Sequence, residues 1–146
     1  MEMTDARQYL RSFRIKESQI QLKLQQIQRL KDRLLSTSTT MDQEQVSHTT
    51  NVSIMADTIT MIVDMQKEAD MQASELLKER WKAMGFMEQI KPESSAILTA
   101  RYFEGKTFPE IGKEKFITER QAQRKEREAI REFQRVLDRN EPIEAR

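Results

Sequence analysis

The chain has 146 residues, 34% charged and 37% hydrophobic, with three glycines, three prolines and a formal charge of +1. This composition fits a mostly helical, thin-cored protein of one or two small domains and argues against a sheet-rich globule. With no cysteine, no basic-then-apolar leader in MEMTDARQYL and no apolar run of about 18 residues, disulfide and thiolate chemistry, secretion and membrane spanning are not expected; a cytoplasmic protein is.

The near-neutral charge conceals blocks of opposite sign. Residues 1–35 carry eight Lys/Arg against four Asp/Glu (+4), residues 36–91 five against nine (−4), and residues 92–146 twelve against eleven (+1). From about residue 4 to residue 35, Leu10, Phe13, Glu17, Ile20, Leu24, Ile27, Lys31 and Leu34 follow a 3,4 spacing, the seam of a coiled-coil helix. A narrow stripe of this kind needs a partner helix. Residues 36–53, STSTTMDQEQVSHTTNVS, lose the periodicity and read as a flexible linker. His48 stands there without a second His, Cys or carboxylate cluster at ligand spacing, so it reads as a solvated loop residue.

A second long helix is expected over about 54–90, where Met55, Ile59, Ile62, Gln66, Ala69, Ala73, Leu76, Arg80, Ala83, Met87 and Ile90 keep the 3,4 spacing. Gln66 and Arg80 in this seam would restrict register and partner number. The opposite charges favour pairing of the two long helices, within one chain or between two, and a homo-oligomer through residues 4–90 is expected. Trp81 reads as a core or interface residue, and Gly85 as a bend or an end of the helix.

Pro92-Glu93 restarts a helix, since proline is tolerated in a first turn and an acid is favoured there. Ile97, Leu98 and Tyr102 form its apolar side, and Gly105 suits the left-handed position that ends it. Thr107-Phe108-Pro109-Glu110 and Thr118-Glu119-Arg120-Gln121 each have capping-box spacing, in which a hydroxyl and a Glu or Gln side chain satisfy the orphan N–H groups of a helix start. A short helix from about 107 to 115 followed by a longer one from Thr118 makes a helix-turn-helix candidate. On the longer helix, at about 100° per residue, Ala129, Phe133, Val136 and Leu137 lie within about 60° of Ala122. Arg120, Arg124, Arg127, Arg131 and Arg135 lie on the opposite face, at about 140–220°. A solvated face usually mixes signs, whereas a one-sign stripe suits a phosphate backbone.

TFPEIGKEKFITERQAQRKEREAIREF resembles the promoter −35-binding helix-turn-helix of bacterial sigma factors (region 4). The match runs without a gap through Thr107, Glu110, Ile111, Gly112, Lys113, Ile117, Thr118, Glu126, Ala129, Ile130, Arg131 and Phe133. The wider run, residues 97–137, is similar to small regulators encoded by phages of Gram-positive bacteria, which join a helical N-terminal half to a sigma-like C-terminal helix-turn-helix. Glu119 and Gln123 stand where sigma factors carry arginines near DNA, so the resemblance implies the fold and not the −35 target sequence. Lys125 occupies a usual core position and is expected to lay its stem along the core with its ammonium in water.

The expected architecture is all-α. A long N-terminal helical hairpin or coiled coil (residues 1–91) precedes a three-helix, sigma-region-4-like helix-turn-helix domain (92–139) and a disordered tail (140–146). The expected function is sequence-specific binding of double-stranded DNA by a transcriptional regulator of phage or prophage genes, with host RNA polymerase as a further candidate partner. Arg120, Gln121, Gln123 and Arg124 are the candidates for base edges, with Arg127 at the edge of reach. Lys115 and Thr118 would hold phosphate, and Arg131 would reach phosphate or solvent. Without a glycine-rich phosphate loop, a nucleophile elbow or a second His, no catalytic residue, cofactor or metal is expected. Two alternatives remain: a phage DNA-packaging protein of the small-terminase kind, and a structural coiled-coil protein whose C-terminal corner is a packing unit.

Overall fold

The computed structural model describes residues 5–41 and 48–140. Every element in that part is helical, which agrees with the expected all-α class: α1 (Asp5–Met41), α2 (His48–Met87), α3 (Pro92–Leu98), a π-helical turn (Thr99–Phe103), α4 (Phe108–Lys115) and α5 (Glu119–Asn140). The linker expected over 36–53 is shorter than its composition implied. α1 continues to Met41, and α2 already begins at His48, which is therefore helical. Ser and Thr are less than about 0.7 kcal/mol poorer than Ala in a helix, and extending an existing helix avoids the nucleation cost. What remains of the linker, residues 42–47, lies outside the described residues. So does the tail from 141, while Asn140 still belongs to α5.

Packing groups the chain into two compact units. One is Glu17–Glu75; the other combines residues up to Lys16 with residues from Leu76 onward. In Glu17–Glu75, Ile27 packs with Ile62 and Ala69, and Leu30, Leu34 and Met65 close around them. Lys23 Nζ lies 2.9 Å from Glu68 Oε1 and donates to Gln72 Oε1 at 3.2 Å, so α1 and α2 pair within one chain. Only one series of the 3,4 spacing is well covered. Ile20, Ile27, Ile62 and Ala69 are buried, whereas Glu17, Leu24, Lys31, Ile59 and Ala73 of the alternate series are exposed. Each helix has one neighbour here, and one neighbour covers one row.

The other unit is built on α5. Ala122, Ala129, Phe133, Val136 and Leu137 are buried, as the angular pattern predicts, and both α3 and α4 pack on this helix. α1 and α2 add a further layer through Leu10, Phe13, Ala83, Phe86 and Met87, joined by Ile90 of the turn that follows α2. The Phe133 ring stands 6.0 Å from that of Tyr9 and 6.5 Å from that of Phe86, and Phe13 meets Phe103 edge-on at 5.3 Å. Segments 5–16 and 76–91, expected with the N-terminal helical region, therefore share a core with 92–140. The reason is burial: a helix with a stripe as wide as the mainly apolar one of α5 needs more cover than two short helices supply.

α5 also satisfies the helix starts around it. Gln134 Oε1 accepts from the Ala6 N–H at 2.9 Å, and Glu132 accepts from the Lys91 N–H and the Ser94 hydroxyl at the start of α3. Such first-turn N–H groups have no helical acceptor of their own. Gly105 takes φ +71° after the π-helical turn, as expected for a helix end, and a side chain there would also collide with the Arg14 guanidinium. Arg80 is half-buried, with its guanidinium 5.1 Å from the Phe103 ring centre. Trp81 is 76% exposed and Gly85 lies inside α2.

Candidate nucleic-acid interface

Both capping boxes form. At the start of α4 the Thr107 hydroxyl accepts from the Glu110 N–H at 3.3 Å, and Glu110 Oε1 accepts from the Thr107 N–H at 2.8 Å. Those bonds hold the Glu110 carboxyl below its ordinary pKa. At the start of α5 the Thr118 hydroxyl accepts from the Gln121 N–H at 3.0 Å, and Gln121 Oε1 accepts from the Thr118 N–H at 2.9 Å. Between the two helices the chain reverses at Phe116, a left-handed residue (φ 57°) whose N–H donates to the Gly112 carbonyl. Gly112 is required by closeness: a Cβ there would stand 2.7 Å from the Ile117 carbonyl oxygen. The corner is tight because no side chain intervenes. Phe116 itself, at the reversal, is 94% exposed.

The arginine face survives in three dimensions. Arg120, Arg124, Arg127, Arg131 and Arg135 are exposed along α5, and Lys115 and Thr118 are exposed at the corner. Lys125, on the flank, is 34% exposed with its ammonium 3.6 Å from Glu93, consistent with a stem laid along the core. The two glutamines behave differently from the arginines. The Gln121 carbonyl oxygen accepts in the cap, which ties that side chain back to the start of α5 and restricts the pose it can offer a base edge. Gln123 is half-buried and, with Arg127, borders a cleft beside α5. The structure brings Lys115, Thr118, Arg120, Arg124 and Arg131 onto exposed surface of the corner and α5, and sets Gln123 apart from them.

Glu126 is the residue whose role spacing did not reveal. It is 3% exposed, accepts from the Tyr102 hydroxyl at 2.5 Å and is bridged by Arg7 of α1 at 2.7 Å. Burial, then the bond to Glu126, pushes the Tyr102 phenol above its ordinary pKa, so Tyr102 stays a donor. One signal was available: Glu126 lies only about 40° from Ala122 on the apolar side of α5, where a carboxylate requires partners. Nothing local points to Arg7, which lies 119 residues away.

Among the described residues no group of three or more His, Cys, Asp or Glu could hold a metal ion, and no helix is long and apolar enough to cross a membrane. Comparison of the chain with protein families, curated proteins and solved structures returns no match.

Proposed function

We propose that this chain is a sequence-specific DNA-binding regulator of transcription, in which a long helical hairpin carries a three-helix helix-turn-helix unit made of α3, α4 and α5. The observation that carries the reading is the row of five exposed arginines on α5 behind a corner capped at both helix starts. A helix whose outer face is of one sign, presented N-terminus first by a tight turn, suits the major groove of a duplex. In this reading Arg120 and Arg124 reach base edges and Gln121, held by the cap, turns its amide toward them. Lys115, Thr118 and Arg131 hold phosphates, the Thr118 hydroxyl hydrogen being free to donate while its oxygen accepts in the cap. Gln123 and Arg127 work at the edge of the groove. The resemblance to sigma region 4 and to small phage regulators supports a cytoplasmic protein acting on phage or prophage promoters, with host RNA polymerase as a second partner. Leu22 (59% exposed), Met61 (51%) and Met71 (63%) support a homo-oligomer, because these apolar side chains stay uncovered in one copy.

Fluorescence anisotropy with labelled duplexes tests the reading, using DNA flanking the gene and an unrelated fragment over a range of salt. A preference for one flanking fragment, with affinity falling as salt rises, is the expected result. The Arg120→Ala/Arg124→Ala variant should lose that preference. A phage DNA-packaging protein would instead select a packaging site over promoter fragments, and a purely structural coiled-coil protein would leave the double variant fully active. Absence of binding at low salt would reject DNA recognition.

A further inference from the structure

Beside α5 lies a cleft of about 220 Å³ walled by guanidinium groups from three elements. Arg7 and Arg11 come from the start of α1, Arg101 from the π-helical turn and Arg127 from α5. Four like charges around one small space repel one another, and the only acid among the residues that line it is Glu126. That carboxylate is committed to Arg7 and Tyr102. Arg101 donates to the Lys106 carbonyl at 3.2 Å and lies 4.1 Å from the Phe108 ring centre, contacts that orient its planar group without neutralising it. Arg11 and Arg127 are exposed and have no carboxylate partner among the described residues. The arrangement is an excess of positive charge held open by structure.

An anion is what such a cleft lacks. The volume is below the roughly 300–1,000 Å³ of sites for small organic ligands, and planar guanidiniums match the paired oxygens of a phosphate. Arg127 belongs both to this cleft and to the arginine face of α5, so an anion seated here lies on the path of a duplex held along that helix. We propose that the cleft is a phosphate-binding site that seats one backbone phosphate of the bound DNA, making the start of α1 part of the DNA-contacting surface. The inference rests on the DNA-binding reading for the source of the phosphate.

The test uses the full chain with Arg11→Gln, an exposed position whose replacement leaves the core intact, with thermal melting as the fold control. Arg11→Gln should weaken binding to the preferred and the unrelated duplex equally and lower the log–log salt slope by about 0.9, the signature of one phosphate contact. Arg11→Glu should weaken it further. If both variants keep wild-type affinity and slope while Arg120→Ala/Arg124→Ala loses recognition, the cleft proposal fails and the DNA reading stands. If the wild type binds neither duplex, the DNA reading fails, and titration with inorganic phosphate decides the rest. A rise in melting temperature in the wild type but not in Arg11→Gln would retain a phosphate site with a free anion as its ligand. No rise in either would overturn the proposal altogether.

Discussion

Residues 17–75 and the unit around α5 draw on helices with similar apolar spacing, yet they differ sharply in what they bury. In the former, Ile27, Ile62 and Ala69 form a core one row deep, and Leu22, Met61, Val63 and Met71 remain exposed. In the latter, Phe133, Leu137, Ile111 and Leu98 are fully buried, and even a carboxylate is taken inside with its donors. Periodicity decides which face of a helix seeks cover. The number of neighbours decides how much cover it receives, and that number is a property of the whole chain.

The contrast can be broken most directly by cutting the chain. A fragment of residues 92–146 should give no cooperative thermal transition by near-ultraviolet circular dichroism, because Phe133 would lose Tyr9 and Phe86. A sharp melt at the full-length temperature would show that α1 and α2 are dispensable to this core. Next in size, Phe133→Ala should cost about 3–5 kcal/mol in urea unfolding, against about 2 kcal/mol for Ile62→Ala in the thinner unit. Equal losses would erase the distinction between the two.

Glu126→Ala should cost about 2 kcal/mol, less than the full penalty for breaking a buried pair because the Arg7 side chain is 38% exposed. Glu126→Gln should recover part of that loss, since an amide oxygen still accepts from Tyr102; a Gln variant no better than Ala would mean the charge alone matters. The smallest effect is expected at Leu22→Lys, which should change the unfolding free energy of a single copy by less than about 0.5 kcal/mol. A larger loss that grows with protein concentration would instead identify Leu22 as covered by a second copy.

Much of this was legible in the residues. The two Thr boxes, Gly105, the buried stripe of α5 and its arginine face all follow from local spacing, because capping and amphipathicity act within a few residues. The ends of the linker were misread for the opposite reason: Ser- and Thr-rich composition says little once a neighbouring helix can propagate through it. The π-helical turn left no local signature. Gln121 was legible as a capping residue and as a base-reading candidate, but only the structure shows that the cap occupies its carbonyl oxygen. The cleft was beyond reach, since it joins Arg7 and Arg11 to Arg101 and Arg127 across most of the chain.

That long reach has a consequence for how the protein comes to exist. The Ala6 N–H and Gln134 are 128 residues apart, and Phe13 and Leu10 lie in the same core as Phe133. At about 5–20 residues per second on the ribosome, α1 waits on the order of ten seconds before α5 has been synthesised. During that interval its apolar face lacks the cover that α5 supplies, including the Phe133 ring beside Tyr9. Contacts of such separation also slow the closing step itself, because the intervening chain must be ordered first. Assembly of the arginine-bearing surface is thus a late event, and a nascent chain stalled before residue 119 would carry α1 without the helix it is shaped to meet.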